Sequence, residues 1–153
     1  MDIKDFLSPD RIVLDLRVSD KPRLLQELAR LAGFSLNLPA NRIADELSKR
    51  EALGSTGTGG GVAIPHARLQ EIDKPFGMLV RLNRAIGYDA IDDKPVDLIF
   101  LLLMPGRREA EQLNALASVA RSLRDPHTAG LLRRANTSSE VYRVLVPQAP
   151  QQK

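Results

Sequence analysis

The chain has 153 residues, of which 43% are hydrophobic, and it carries 22 basic side chains, 19 acidic side chains and no cysteine. A chain of this size buries one hydrophobic core, so we predict a single domain over residues 1–147 and a disordered polar tail over residues 148–153. Without cysteine there is neither a disulfide framework nor a thiolate metal site, and the evenly spread charge does not fit a nucleic-acid-binding arm.

The N-terminal part of the chain predicts a strand followed by a helix. The pattern IVLDL predicts a short strand over residues 12–16. Leucines and alanines then recur on one helical face over residues 21–33, which predicts an amphipathic helix. Ser19 or Asp20 is the expected N-cap, and Gly33 is expected to end the helix.

The next segment predicts a second helix that leads directly into a glycine-rich loop. Apolar spacing predicts this helix over residues 41–53, and Gly54 is expected to end it. Five glycines occur within residues 54–61, and the sequence VAI then predicts a strand over residues 62–64. Because the residue before a proline is held in extended geometry, this strand is expected to stay extended into Pro65.

The C-terminal half predicts two strands and three helices. The strands are predicted over residues 77–82 and 96–105, and the unbroken apolar run of the second predicts a central strand that is covered on both faces. A long amphipathic helix is predicted over residues 109–123, and two short helices over residues 129–135 and 140–145. The buried face of the long helix is predicted to comprise Leu113, Leu116, Ala117, Ala120 and Leu123.

These elements predict an α/β fold, and the absence of cysteine together with the acidic N-terminus leads us to expect a cytoplasmic protein. Helices before, between and after the strands predict a three-layer α/β/α sandwich with a central mixed sheet. The N-terminus MDIKDFLSPDR places acidic residues where a secretory signal has basic and apolar ones. The longest apolar run, LIFLLLM, is too short to span a bilayer, so we expect no membrane insertion.

His66 follows the glycine-rich loop and Pro65, and these neighbours indicate an anion site. Backbone N–H groups of glycines can approach an anion closely, and the hydroxyl groups of Ser55 and Thr56 add donors. Neutral imidazole is a nucleophile, and Arg50, at the end of the preceding helix, offers a guanidinium that can clamp phosphoryl oxygens. The constellation suits phosphoryl transfer, while a mobile glycine connector beside a structural histidine is the alternative that these residues leave open.

The same stretch argues against a bound cofactor. No Gly-Lys-Ser/Thr sequence follows the glycines, and the order of loop and strand does not suit a dinucleotide, so no nucleotide is expected. The only other histidine, His127, has no ligand spacing to His66, so no metal is expected either.

The segment KREALGSTGTGGGVAIPHARL over residues 49–69 resembles the signature of the enzyme IIA components of the bacterial phosphotransferase system, in the fructose/mannitol class. The similarity extends to the opening strand and helix, to YDAIDDKPVDLIFLLLMP and to QLNALASVARSL. Within this class the sequence is similar to the nitrogen-related IIA proteins.

This resemblance implies a histidine phosphocarrier. In the family, a histidine at the position of His66 accepts a phosphoryl group through Nε2 from a phosphohistidine on an HPr-like carrier (NPr). An arginine at the position of Arg50 belongs to the same site, and Ser55, Thr56 and Gly57 are the expected phosphate-binding residues. The nitrogen-related branch is regulatory: phosphorylation state controls binding to target proteins such as potassium-transport components or sensor kinases.

Gln112 departs from the family pattern at a position that is expected to bind the phosphoryl group. Many members carry a second histidine there, close to the active histidine. Glutamine can donate or accept a hydrogen bond but cannot carry a proton charge. We therefore expect His66 to accept phosphate with an altered pH dependence or phosphohistidine lifetime.

Three alternatives stay open at this stage. One is a regulatory interaction module of the same fold that has lost phosphotransfer through Gln112 or the altered loop. Another is a fructose-type IIA component that works in sugar uptake. A nucleic-acid binder would account for the basic charge, but no recognition motif supports it, and we expect no nucleic-acid partner.

Overall fold

The computed structural model describes residues 2–106 and 109–147, so the predicted tail over residues 148–153 lies outside the described residues. Within these ranges no helix is long and apolar enough to cross a membrane. The elements in chain order are β1 (Ile12–Leu16), α1 (Lys21–Leu36), α2 (Ala40–Ala52), β2 (Gly57–Gly59), β3 (Val62–Ala63), β4 (His66–Leu69), β5 (Phe76–Ile86), β6 (Val96–Pro105), α3 (Glu109–Arg124), α4 (Pro126–Arg134) and α5 (Ser138–Leu145).

One six-stranded mixed sheet forms the middle of the fold. Its strand order is β1-β5-β6-β3-β2, and β4 pairs with β6 beyond the end of β3. The pair β5–β6 is antiparallel, whereas β1 runs parallel to β5 and both β3 and β4 run parallel to β6. The predicted mixed sheet is therefore confirmed.

Alternate side chains of β6 enter two separate hydrophobic cores, one on each face of the sheet. Ile99 and Leu101 pack with the buried leucines of α1 and α2. Phe100 and Leu102 pack with the apolar faces of α3, α4 and α5. Successive strand residues point to opposite faces, so a strand that is apolar at every position must be covered on both sides. The three-layer α/β/α arrangement and the central position of this strand are as predicted.

Helix α1 begins where the sequence predicted and ends one turn later. The Asp20 side chain accepts a hydrogen bond from the backbone N–H of Arg23 at 2.9 Å, which makes Asp20 the N-cap. Asn37, in the left-handed conformation, ends the helix, so the prediction that Gly33 ends it is wrong. Gly33 is needed inside the helix, because a Cβ there would lie 2.7 Å from the carbonyl oxygen of Leu38.

The buried face of α3 differs from the predicted one. Leu113 is 67% exposed, and Ala117 is also exposed. The leucine spacing predicted the helix correctly. The predicted apolar face, however, combined positions that face the core with positions that face solvent. The residues that α3 buries are Gln112, Ala115, Val119 and Leu123.

Substitution of alanine for the two glycines that lie inside helices is expected to change the stability with opposite signs. Gly33→Ala should lower the free energy of unfolding by about 1–3 kcal/mol, because the new methyl group meets the backbone of the α1–α2 turn. Gly130→Ala in α4 should raise it by about 0.5–1 kcal/mol, because a Cβ there meets only the flexible end of Arg134. Denaturant unfolding of both variants checks the pair, and a stabilised Gly33→Ala protein would contradict the packing.

Candidate functional site

A break between two short strands presents His66 at the edge of the sheet. Strands β3 and β4 both pair with β6, and Ile64 and Pro65 separate them. The carbonyl oxygen of Pro65 accepts a hydrogen bond from the N–H of Leu102 at 3.0 Å, so the proline stays attached to the sheet. The predicted strand over residues 62–64 is thus shorter by one residue, and His66 begins the next strand.

One backbone hydrogen bond fixes the protonation of the His66 ring. Nδ1 lies 2.8 Å from the carbonyl oxygen of Ile64. A carbonyl can only accept, so Nδ1 must carry the proton and Nε2 keeps its lone pair. Nε2 in turn accepts a hydrogen bond from Nε of Arg50 at 3.2 Å. The nucleophilic nitrogen of a neutral imidazole therefore faces a guanidinium.

The surroundings of His66 favour the neutral ring. Burial lowers the pKa of the imidazole below its ordinary value of 6.5; the Ile64 carbonyl opposes this shift, the Arg50 guanidinium adds to it, and the Glu51 carboxylate opposes it. The net direction is downward, so His66 is neutral at pH 7 and its Nε2 is unprotonated.

Arg50 reaches His66 from the last turn of α2. Its Nη1 donates to the carbonyl oxygen of Gly54 at 2.7 Å, and this second contact fixes the guanidinium. The chain folds back after the helix, as the proposed pairing of Arg50 and His66 requires. Of the predicted site residues, these two are in direct contact.

A cleft of about 520 Å³ opens beside His66. Arg50, Gln112 and the ring of His66 line it. Gln112 is buried, and its Nε2 donates to the carbonyl oxygen of Pro105. Two large apolar side chains of the cleft, Leu53 and Leu113, are 85% and 67% exposed. The cleft is therefore lined by polar, charged and apolar side chains, and its exposed rim includes Leu53 and Leu113.

The other predicted phosphate-binding residues make hydrogen bonds away from this cleft. The Ser55 hydroxyl donates to the carbonyl oxygen of Tyr88 at 2.9 Å and accepts from the N–H of Gly57 at 3.0 Å. The Thr56 hydroxyl donates to the carboxylate of Glu51. In this state Ser55, Thr56 and Gly57 shape the loop, and phosphate binding by them stays a prediction.

A buried carboxylate that the sequence analysis missed holds the start of the loop. The side chain of Glu51 is 6% exposed and forms an ion pair with Nζ of Lys21 at 3.0 Å. Its oxygens also accept from the backbone N–H of Thr56 and from the hydroxyl of Tyr88, each at 3.1 Å. Four donors from three separate segments of the chain thus converge on one residue, and that residue follows Arg50 directly.

Tyr88 completes this cluster. Its ring lies 4.4 Å from Nζ of Lys21, a cation–π distance, and burial together with the nearby Glu51 charge raises the pKa of its hydroxyl. The phenol therefore stays protonated and donates to Glu51. The partners are remote from Glu51 in the sequence, and no local periodicity could have pointed to them.

The glycine-rich loop is held at its tip as well as at its start. Nη2 of Arg133 donates to the carbonyl oxygen of Gly60 at 2.8 Å and to the carboxylate of Asp97 at 2.8 Å. The carboxylate of Asp92 accepts from the N–H of Gly60 at 3.0 Å. Gly59, Gly60 and Gly61 all have positive φ, which explains the need for glycine in this tight turn.

The described residues contain no cluster of three His, Asp or Glu side chains that could hold a metal ion. The aspartates near β6 instead serve turns: Asp89 and Asp93 adopt positive φ, and Asp92 accepts backbone N–H groups.

Known proteins are similar to this chain in fold and in sequence. The family model described as "Phosphoenolpyruvate-dependent sugar phosphotransferase system, EIIA 2" matches residues 5–146. The chain is 42% identical over 145 residues to a nitrogen regulatory protein of Bradyrhizobium diazoefficiens, covering 95% of each chain. The crystal structure of nitrogen regulatory protein IIA-Ntr from Neisseria meningitidis matches with a TM-score of 0.90 and 36% identity, over 94% of this chain and 99% of that one.

A more distant match shows the fold alone. The mannitol enzyme IIA of Escherichia coli, solved as a complex with phosphorylated enzyme IIB, is 15% identical to this chain, with a TM-score of 0.76, over 93% of this chain and 98% of that one.

Removal of the negative charge of Glu51 is expected to cause a large loss of stability. Glu51→Gln should lower the free energy of unfolding by about 3 kcal/mol, because it leaves the Lys21 ammonium facing a neutral amide in a largely buried place. Glu27→Gln, which removes the carboxylate of the solvent-exposed pair with Arg30, is the matched control and should cost far less. Equal losses in denaturant unfolding would show that the cluster does not anchor the loop.

Proposed function

Because this chain belongs to the EIIA 2 family of the phosphoenolpyruvate-dependent sugar phosphotransferase system, we propose that Nε2 of His66 accepts and carries a phosphoryl group. Members of this family are phosphotransferase components, and relatives of this chain are nitrogen regulatory proteins. The observation that carries the proposal is the ring geometry: Nδ1 is bonded to the Ile64 carbonyl, and the Nε2 lone pair faces Arg50.

The proposed donor is a phosphohistidine on an HPr-like carrier (NPr). Nε2 of His66 supplies the electron pair of the new N–P bond, and the donor nitrogen keeps the pair of the bond that breaks. The His66 ring retains its Nδ1 proton on the Ile64 carbonyl, and the donor ring takes up one proton from solvent. Transfer between two imidazoles requires in-line placement and charge compensation more than acid–base chemistry.

Arg50 supplies the charge compensation in this scheme. Its Nε–H now occupies the lone pair of Nε2, at 3.2 Å, so the guanidinium must move when phosphorus arrives. The planar fork can then bind the phosphoryl oxygens that replace the ring nitrogen as acceptors. Gln112, which lines the same cleft, is the proposed hydrogen-bonding partner where many relatives have histidine.

The apolar rim of the cleft is the proposed docking surface for the carrier. Leu53 and Leu113 both line the cleft that contains His66 and expose most of their side chains. Exposed apolar side chains at a polar site are typical of protein–protein contact surfaces. The mannitol enzyme IIA also assembles with a phosphorylated protein, its enzyme IIB.

Regulation follows from the charge of the phosphoryl group. A nearly dianionic group on a half-buried histidine changes the electrostatics of the rim without any change of fold. Target proteins, for which potassium-transport components and sensor kinases are the proposed examples, would then bind one phosphorylation state in preference to the other.

Intact-mass measurement tests the carrier function directly. Incubation with a phosphorylated HPr-like carrier should add one HPO₃ unit to the wild-type protein and none to His66→Gln. The matched control is His127→Ala, which removes the other histidine, an exposed one at the start of α4, and should still gain the unit. If the wild-type protein gains no HPO₃ unit, its function is better described as that of a non-phosphorylated interaction module of the same fold.

The pH dependence of phosphorylation tests the ring and Gln112 together. Below the lowered pKa of His66 the ring is protonated and its lone pair is lost, so this protein should contribute one ionisation, below pH 6.5, through which the rate rises with pH. Gln112 adds no ionisation of its own, whereas Gln112→His should add a second near neutrality. A second ionisation in the wild-type protein that belongs to neither His66 nor the donor would contradict this.

A further inference from the structure

A second guanidinium shares the strand and the cleft of His66. Arg68 is two residues after His66 in β4, and alternate residues of a strand lie on the same face. Both side chains line the cleft of about 520 Å³, and that of Arg68 is 57% exposed. Residues two apart on a strand are about 7 Å apart, a span that an arginine side chain can cover.

In the described structure Arg68 is paired loosely with Glu109. Its Nη1 lies 3.7 Å from Oε1 of Glu109, and the Glu109 side chain, in the first turn of α3, is 73% exposed. The distance is longer than a good hydrogen bond, and such exposed pairs contribute little to stability. Arg68 can therefore leave Glu109 for another acceptor at a small cost in free energy.

Phosphorylation of His66 supplies a stronger competitor for the same guanidinium. A phosphoryl group carries nearly two negative charges and three acceptor oxygens, whereas Glu109 carries one charge. A guanidinium binds phosphoryl oxygens through two parallel N–H donors. Among the described residues that line the cleft, Lys49 is a further cation, and because it precedes Arg50 in α2 its side chain is rotated about 100° away around the helix.

We propose that Arg68 is a second phosphoryl-binding arginine, held by Glu109 while His66 is unmodified and transferred to the phosphoryl oxygens when phosphohistidine forms. This inference rests on the proposed carrier function of His66. Its consequence is a change of the rim: the phosphorylated protein exposes an unpaired Glu109 carboxylate beside Leu113, whereas the unmodified protein exposes a neutral Arg68–Glu109 pair. A partner that docks on this rim can therefore read the phosphorylation state from a residue outside the reacting centre.

The experiment measures the equilibrium constant for phosphoryl exchange between the protein and an HPr-like carrier that has been phosphorylated chemically with phosphoramidate. Equilibrium constants are used because they do not depend on how fast the two proteins dock. Arg68→Gln should lower the constant about tenfold, the effect of one charge-assisted hydrogen-bonding partner. Glu109→Gln should raise it about two- to threefold, because the competing carboxylate is gone.

Two further variants make the test specific. The double variant Arg68→Gln/Glu109→Gln should match Arg68→Gln within about twofold, because Glu109 acts only through Arg68. Lys49→Gln removes the same charge from the same cleft without the proposed contact, so it should lower the constant by threefold at most. All three substituted side chains are exposed, and unchanged thermal unfolding midpoints of the four variants would show that the fold is intact.

Phosphorus NMR measures the ionisation of the phosphoryl group, which would not change if Arg68 had only a structural role. The second ionisation of a phosphoryl group lies near pH 6, and adjacent guanidinium groups lower it. The phosphorus signal of Arg68→Gln should therefore titrate at a higher pH than that of the wild-type protein, while that of Lys49→Gln should not shift.

The outcomes separate the two proposals. If the wild-type protein takes no phosphoryl group at all, the proposed function fails. If it is phosphorylated but Arg68→Gln behaves like Lys49→Gln, the carrier function stands and the role of Arg68 is overturned. If Arg68→Gln lowers the constant but Glu109→Gln has no effect on the otherwise wild-type protein, the exchange with Glu109 is overturned.

Discussion

The hydrogen bond from Nδ1 of His66 to the carbonyl oxygen of Ile64 is the constraint on which the site depends. It assigns the single proton of a neutral ring to the inner nitrogen and leaves the outer nitrogen, Nε2, with its lone pair. Ile64 and Pro65 lie between β3 and β4, which both pair with β6, and the carbonyl oxygen of Pro65 remains bonded to β6.

Two layers of support hold this ring and its partner in place. Arg50 is fixed between Nε2 of His66 and the carbonyl oxygen of Gly54, and the loop that follows is fixed by the buried Glu51 carboxylate. At the loop tip, Arg133 and Asp92 bind the backbone of Gly60. The glycine-rich segment, for which a mobile connector was the alternative, is thus held by hydrogen bonds at its start and at its tip. Preorganisation of this kind lowers the cost of ordering the site when a partner delivers a charged group.

The sequence predicted what local rules determine and missed what long-range contacts determine. The capping chemistry of Asp20, the apolar run of β6 and the pairing of Arg50 with His66 followed from propensity, periodicity and a distinctive motif. The buried face of α3 did not follow, because leucine spacing cannot separate a core stripe from an exposed stripe at a cleft. Glu51 was missed because its partners, Lys21 and Tyr88, belong to remote elements that meet only in the folded chain.

Nitrogen-15 NMR of the His66 ring, recorded before and after phosphorylation, tests the central claim most directly. The unmodified protein should show a proton on Nδ1 and an unprotonated Nε2 above the pKa of the ring, and phosphorylation should place the N–P coupling on Nε2 while Nδ1 stays protonated. A proton on Nε2 of the unmodified ring, or phosphorus on Nδ1, would contradict the site as described.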